Sequence, residues 1–173
     1  REKYDVDIIG MEPALKVACD RGEHQRIAVW ATQLTLSEKK FANLMNRFKD
    51  EHHIIKVPCP ELVRMVEDNK LDDAYLVESC LKEYLAASDY KNLDSIVLGC
   101  THFPFYTKYL EKLCPNVHII EGSVGTTLHT KDLLEQKGLL NTSCEEGQIT
   151  WMNTMDPKIE LSKCLFKKLE VEL

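Results

Sequence analysis

The sequence has 173 residues, of which 44% are hydrophobic and 29% are charged. This length favours one domain, or one domain and part of another, and the composition excludes a disordered chain. Lysine and arginine total 22 against 28 aspartate and glutamate residues, which gives a formal net charge of −6. Because the charges are interspersed and no basic stripe is present, the sequence does not predict a nucleic-acid partner.

The sequence predicts neither a membrane-spanning segment nor secretion. It contains no apolar run approaching the roughly 18 residues needed for a span, and nothing at its start resembles a secretion signal. Seven cysteines form no C-x-x-C pair and no dense disulfide framework. Reduced thiols in the cytoplasm are therefore expected. The first residue is Arg1 rather than an initiator methionine, so we expect that something precedes it.

Short β-branched runs alternate with longer amphipathic segments, which is typical of a mostly parallel sheet flanked by helices. The runs predict strands at residues 7–10, 26–31, 53–57, 95–99, 117–120 and 148–153. Apolar residues at i, i+3, i+4 and i+7 predict helices over 41–48 and 77–85. Leu62, Val63 and Val66 predict a shorter helix after Pro60. A capping box is predicted from Thr35 to Glu38, and a final helix is predicted to begin at Asp156.

Residues 95–104 contain the densest cluster of reactive side chains. The segment predicts a buried strand that ends at a tight turn and is followed by a helix opened by Pro104. In parallel α/β sheets, ligands bind outside the carboxyl ends of the strands. Cys100, Thr101 and His102 are therefore expected at the functional edge, where they supply a proton-transfer thiol, an orienting hydroxyl and a second titratable group.

The residues alone leave three interpretations of this cluster open. Ordinary packing is one, since cysteine is among the most buried residue types and histidine often caps a turn. A metal site joining Cys100 and His102 to Cys114 and His118 fits poorly, because a helix separates the pairs and neither spacing matches a common zinc pattern. A nucleophilic Cys100 with His102 as its base is the third, although the chain has no G-x-C-x-G elbow.

Several short motifs, in register along the chain, resemble those of glutamate racemases. Residues 99–104, Gly-Cys-Thr-His-Phe-Pro, are similar to the family's Gly-Cys-Thr-His-Tyr-Pro, with Phe in place of Tyr. Residues 9–14 resemble the family's strand-to-helix entry, residues 29–35 its T-x-x-T threonine pair, and residues 59–67 its C-P-x-L-V-x-x-x-E segment. The match at residues 121–123 is looser, since the family has Asp-Ser there. The correspondence runs in order from about residue 6 to the end.

The resemblance implies an Asp/Glu-racemase-like α/β fold with one complete domain and part of a second. Residues 1–121 are expected to form the domain that carries the Gly-Cys-Thr-His motif, and residues 122–173 to complete the other domain. The family's N-terminal half, with an Asp-Ser-Gly-x-Gly-Gly loop and a first catalytic cysteine in Cys-Asn-Thr, has no counterpart in this sequence. That half is the expected partner, and we expect the isolated chain to be inactive.

The resemblance also implies roles for individual residues. Cys100 corresponds to one of two thiols that exchange the α-proton of glutamate on opposite faces, and His102 to the residue that assists it. Thr101, Thr32 and Thr35 match positions that hydrogen-bond the charged groups of the substrate. Thr35 is also interpretable as a helix cap, and Thr32 as a β-branched strand end.

The implied function is interconversion of L- and D-glutamate, an isomerase activity that requires no cofactor and no metal. In bacteria such an enzyme supplies D-glutamate for peptidoglycan in the cytoplasm, with glutamate as the small-molecule partner and a homodimer as a further arrangement. Two other functions remain open at this point. One is a Cys/His hydrolase, and the other is a non-catalytic binding domain.

Overall fold

The computed structural model describes residues 6–11, 13–143, 145, 147–155 and 157–170. In that part of the chain, four parallel strands form one sheet in the order β2-β1-β3-β4. The strands are β1 Arg26–Ala31, β2 His53–Pro58, β3 Ser95–Leu98 and β4 His118–Ile120. The parallel sheet and its flanking helices confirm the predicted α/β class.

Helices connect the strands and cover both faces of the sheet. They are α1 Leu15–Cys19, α2 Gln33–Ser37, α3 Lys39–Asn46, α4 Pro60–Glu67, α5 Ala74–Ala87, α6 Thr107–Leu113, α7 Ser123–Gln136 and α8 Pro157–Glu170. A 3₁₀ turn over Phe103–Tyr106 leads into α6. None of the helices in the described ranges is long and apolar enough to cross a membrane.

The central strand β1 divides its side chains between two cores, because successive residues of a strand point to opposite faces. Ile27, Val29 and Ala31 pack with α1, α2 and α3 on one face. Ala28 and Trp30 pack with α4, α5 and α6 on the other. All five side chains are fully buried, as expected for the middle of a parallel sheet covered on both sides.

Trp30 fixes α5 against the middle of the sheet. Its indole N–H donates a hydrogen bond to the hydroxyl oxygen of Ser88, the C-cap of α5, at 3.0 Å. The Ser88 hydroxyl in turn donates to the carbonyl of Tyr84 at 2.6 Å. The Trp30 and Tyr84 rings are tilted against each other with centroids 5.8 Å apart. The indole therefore contributes both packing and a satisfied polar group to the core.

Two predicted strands are wrong. Residues 7–10 and 148–153 have irregular backbone, and the apolar side chains Ile8 and Ile149 in them are exposed. Each run has the composition of a strand, but neither pairs with another strand in the described ranges. A strand is stable only with partners to satisfy its backbone groups.

One of the predicted helix starts is wrong, and two are present in the structure. Thr35 lies inside α2, and Glu38, at the N-cap of α3, makes no side-chain cap, so the predicted capping box is wrong. The helix predicted after Pro60 is present as α4, and the predicted final helix is present as α8. Its proposed cap, Asp156, lies outside the described residues.

The boundary between residues 1–121 and 122–173 stays a prediction. Helix α7 buries none of its residues. Helix α8 contacts the first domain, because Leu165 packs against the core shared by α4, α5 and α6. Two lysines of α8, Lys158 and Lys168, form ion pairs with Glu67 and Asp72.

Replacing Ser88 with alanine should lower the free energy of unfolding by about 1–3 kcal/mol, because the buried indole N–H of Trp30 loses its acceptor. The measurement is urea denaturation of the 173-residue chain, followed by tryptophan fluorescence and circular dichroism.

Ser37→Ala is the matched control for this substitution. The Ser37 hydroxyl also donates to the carbonyl four residues earlier, that of Gln33, at 2.7 Å, but Ser37 is exposed. Its loss should change the free energy of unfolding by less than about 0.5 kcal/mol. Equal effects of the two substitutions would show that the bond between Trp30 and Ser88 does not stabilise the core.

Candidate functional site

The candidate site lies where the carboxyl ends of β1 and β3 meet. The strands pair in register with Trp30 opposite Leu98. Thr32 follows β1 directly, and Cys100 follows β3 after one residue. The chain continues from β1 to β2 on one side and from β3 to β4 on the other, so the strand order reverses at this point. Ligands of doubly wound sheets bind at such a switch point.

Gly99 permits the close approach of three segments at this edge. Its N–H donates to the carbonyl of Trp30 at 2.8 Å. A Cβ atom on residue 99 would lie 3.2 Å from the Ala31 Cβ, 3.2 Å from the Trp30 carbonyl oxygen and 3.3 Å from the Pro13 Cγ. These distances are shorter than ordinary carbon contacts. Glycine therefore fits between β3 and Cys100 without displacing these neighbours, whereas any side chain would have to displace them slightly.

A cleft of about 290 Å³ opens at this edge. Cys100, Thr101 and Thr35 line it together, with Gly99 and Leu98 at its base. The remaining walls are formed by Met11, Pro13, Glu38, Lys40, Phe41, Leu44 and Gly122. The structure thus brings three of the five predicted site residues to one cleft. Of the other two, Thr32 contacts Thr35 and His102 contacts Cys100.

Thr32 and Thr35 form a hydroxyl pair at the start of α2. Thr32 is the N-cap of this helix, and its Oγ1 accepts from the backbone N–H of Thr35 at 3.2 Å. The two hydroxyl oxygens are 3.0 Å apart. Thr32, and not Thr35, is therefore the helix cap in this segment, and the helix that it caps is α2. Since a hydroxyl has one donor and two acceptor positions, the pair retains capacity to bind a ligand.

Cys100 begins a chain of polar contacts that ends on α8. The Cys100 Sγ lies 3.6 Å from the His102 Nδ1, and the His102 Nε2 lies 2.8 Å from the Glu67 Oε1. The Lys158 Nζ donates to the Glu67 Oε2, also at 2.8 Å. A thiol, an imidazole, a carboxylate and an ammonium group therefore contact one another in that order.

These contacts favour a thiolate at Cys100. Partial burial raises the pKa of the thiol, but hydrogen bonds from His102, the charge of His102 and the Thr101 hydroxyl outweigh burial, so the net pKa is lowered. Contact with Cys100 raises the pKa of His102 to about 9, against the effect of burial and with a further contribution from Glu67. The imidazole is therefore protonated at neutral pH and loses its proton as the pH rises through about 9.

Sequence reasoning assigned no role to two members of this chain. Glu67 enters the sequence analysis only as the last residue of the motif at residues 59–67. Nothing in the sequence around Lys158 indicates a role for that residue. Glu67 ends α4, so it approaches His102 from a different element. Lys158 is 91 positions further along the chain. No local sequence pattern predicts a contact over such a separation. The only part of this chain of contacts that the sequence indicates is the pair Cys100 and His102, which are two residues apart.

The metal interpretation finds no support. Cys114 is buried, and its thiol donates to the Leu110 carbonyl at 2.9 Å within α6. His118 begins β4. Over the described ranges, no group of three or more potential ligands is close enough to hold a metal ion.

The sequence was compared with characterised proteins. It is 49% identical over 173 residues to a glutamate racemase of Bifidobacterium animalis subsp. lactis, a match that covers 98% of this chain and 67% of that relative. The chain belongs to the glutamate racemase family. A second member, from Bifidobacterium adolescentis, is 50% identical over 157 residues, with 89% of this chain and 61% of the relative covered. The chain thus spans about two thirds of the length of these racemases. No protein-family model matches it.

Solved racemase structures share the fold. The structure of Escherichia coli glutamate racemase, in complex with L-glutamate and the activator UDP-MurNAc-Ala, matches with a TM-score of 0.74 at 24% identity, over 96% of this chain and 64% of that one. The racemase of Francisella tularensis in complex with D-glutamate matches with a TM-score of 0.60 at 28% identity, over 69% of this chain and 44% of that one.

Replacing His102 with asparagine should raise the pKa of Cys100, because burial then acts on the thiol without an opposing positive charge. We expect the alkylation rate at pH 7 to fall about tenfold, since that rate follows the thiolate fraction. The measurement is the rate of iodoacetamide labelling of the Cys100 peptide between about pH 5 and pH 10, read by mass spectrometry.

Cys164, labelled in the same reaction, is the internal reference, since it is a free, half-buried cysteine on α8. Its labelling profile should not change in the His102→Asn variant. If the midpoint for Cys100 also stays unchanged, His102 does not stabilise the thiolate.

Proposed function

We propose that Cys100 is one of the two proton-transfer thiols of a cofactor-independent glutamate racemase, to which this chain contributes one side of the active site. The contact of the Cys100 thiol with His102, which Glu67 holds from behind, carries the proposal. The contact lies at a cleft that Thr35 and Thr101 line. The racemase names of the relatives and the D-glutamate bound to one related structure support it.

The chemistry requires two groups on opposite faces of the substrate. The Cys100 thiolate removes the α-proton from one face and becomes a neutral thiol, and a second thiol returns a proton to the opposite face of the resulting carbanion. In the described part of the chain, Cys100 is the only cysteine that lines the cleft. The proposal therefore requires that the second thiol comes from outside the described part of the chain.

The hydroxyl groups of Thr32, Thr35 and Thr101 hydrogen-bond the charged groups of the substrate in this proposal. Thr35 and Thr101 line the cleft, and Thr32 orients Thr35. The volume of about 290 Å³ suits a small molecule such as an amino acid.

Residues 122–173 complete a second domain together with an N-terminal half of the kind that the family carries. Helix α7 buries none of its residues, and its side chains Val124 and Leu128 are more than half exposed. A helix with exposed apolar side chains and no fully buried residue is suited to pack against another domain. The complete enzyme would act in the bacterial cytoplasm and supply D-glutamate for peptidoglycan, and we also keep a homodimer as a prediction.

A Cys/His hydrolase is the second candidate function. The order of thiol, imidazole and carboxylate also describes a nucleophile, its base and the group that orients the base. The two candidates differ in what happens to the substrate, since a racemase exchanges the α-hydrogen and a hydrolase breaks a bond.

The 173-residue chain alone should not racemise glutamate, because one thiol serves only one face. If substrate still binds, Cys100 should remove and return the α-proton with retained configuration, so one enantiomer incorporates deuterium from deuterium oxide. The measurement combines polarimetry with the loss of the α-proton NMR signal. Robust racemisation by the verified chain alone would contradict the two-thiol assignment.

Adding the N-terminal third of the Bifidobacterium animalis racemase in trans should restore interconversion, since the cleft then presents two thiols. Cys100→Ala should abolish both racemisation and exchange. Cys164→Ala, which removes a half-buried thiol of α8, is the matched control and should retain both. Unchanged racemisation by the reassembled Cys100→Ala protein would remove Cys100 from the mechanism, and bond cleavage without exchange would favour the hydrolase.

A further inference from the structure

Lys158 holds Glu67 by two separate oxygen atoms. Its Nζ donates to the side-chain Oε2 at 2.8 Å and to the backbone carbonyl oxygen at 2.7 Å. Glu67 is the last residue of α4, and the carbonyls of a last turn have no partner within their own helix. The ammonium group therefore caps α4 and leaves the other carboxylate oxygen, Oε1, to face His102.

Both charges stand where their own helices disfavour them. A carboxylate at the C-terminus of α4 faces the negative end of that helix dipole, and an ammonium group in the first turn of α8 faces a positive end. The contact between Lys158 and Glu67 offsets both local costs. Local rules are usually broken in this way where a function demands it.

We propose that Lys158 is a positioning residue for the Cys100 thiol: it fixes the carboxylate of Glu67 so that Glu67 orients His102, and His102 faces the thiol. This inference deepens the proposed function, because it assigns to α8 a part in preparing the proton-transfer group. Lys158 touches neither the thiol nor the cleft lining and acts through Glu67.

Without Lys158, the Glu67 side chain would be free to rotate into water, since 44% of its surface is already exposed. Removal of the ammonium group also makes the surroundings of the thiol more negative. Both changes destabilise the Cys100 thiolate. One effect opposes these two changes. If the Glu67 carboxylate stays in place, it attracts the His102 proton more strongly once it is no longer shared with Lys158.

The contact between Lys158 and Glu67 is not needed only to hold α8 in place, because the helix has other attachments. Leu165 packs against the core, and Lys168 forms an ion pair with Asp72. Replacing Lys168 removes the same charge and the same kind of ion pair as replacing Lys158. Lys168, however, does not contact Glu67 or His102. It therefore provides a control for helix docking and for net charge.

The other titratable groups around the thiol do not change charge near neutrality or are unaffected by the substitution. Burial raises the pKa of Cys59, the N-cap residue of α4, and of Tyr106, in the 3₁₀ turn, far above neutrality. Burial also raises the pKa of Cys80 on α5. Glu38 and Lys40 line the cleft with Cys100 and are kept in every variant.

The test measures the pH profile of iodoacetamide labelling at Cys100 in the full 173-residue chain. Lys158→Met should move the midpoint upward by about half a pH unit, which is about a threefold lower rate at pH 7. Lys168→Met should leave the Cys100 profile unchanged while altering thermal unfolding to a similar extent. Circular dichroism verifies that each variant is folded.

A double-substitution cycle separates action through Glu67 from a direct effect of charge. Glu67→Gln alone should also raise the midpoint, and Lys158→Met should add nothing in that background. An unchanged or lowered midpoint in Lys158→Met, an equal shift in Lys168→Met, or additive shifts in the double variant would each overturn the inference. Because the readout is thiol reactivity, these outcomes do not depend on whether the assembled protein racemises glutamate.

Discussion

The parallel pairing of β1 with β3 is the constraint on which the site depends. It ends with the hydrogen bond from the Gly99 N–H to the carbonyl of Trp30, at 2.8 Å. Trp30 is fully buried, and its strand pairs with a neighbour on each side. The pairing therefore fixes the turn at Cys100 relative to the threonines that follow β1, and a Cβ atom on residue 99 would press on Ala31 and on the Trp30 carbonyl.

The thiol of Cys100 differs from other cysteines of the chain in its partner. Burial raises the pKa of Cys114 to about 11, and burial with nearby carboxylates does the same for Cys19. Burial acts on Cys100 in the same direction, yet hydrogen bonds and charge from His102 reverse the outcome. A cation within hydrogen-bonding distance of a half-buried thiol thus outweighs desolvation. The contact with Cys100 stabilises the charged form of His102 most, and Glu67 adds to that stabilisation.

Under the proposed two-thiol mechanism, the architecture also gives a reason why one domain would be insufficient for racemisation. Groups at the carboxyl ends of parallel strands all approach a ligand from the same side. Because inversion at a tetrahedral carbon needs proton transfer on both faces, the proposal requires the opposing thiol on a second structural unit across the cleft. The extension of the polar chain from Cys100 to α8 would then link the thiol to the segment expected to pack with that unit.

Local patterns in the sequence were sufficient for the four paired strands, for α3, α4 and α5, and for the position of Cys100 at the end of β3, because buried strands and amphipathic helices repeat at fixed spacings. Only the tertiary structure decided which apolar runs find a partner, so residues 7–10 and 148–153 were mistaken for strands. It also gave the helix cap to Thr32 and brought Lys158 to Glu67 across 91 positions. Such contacts depend on how helices pack around the sheet, and no spacing within a single element encodes them.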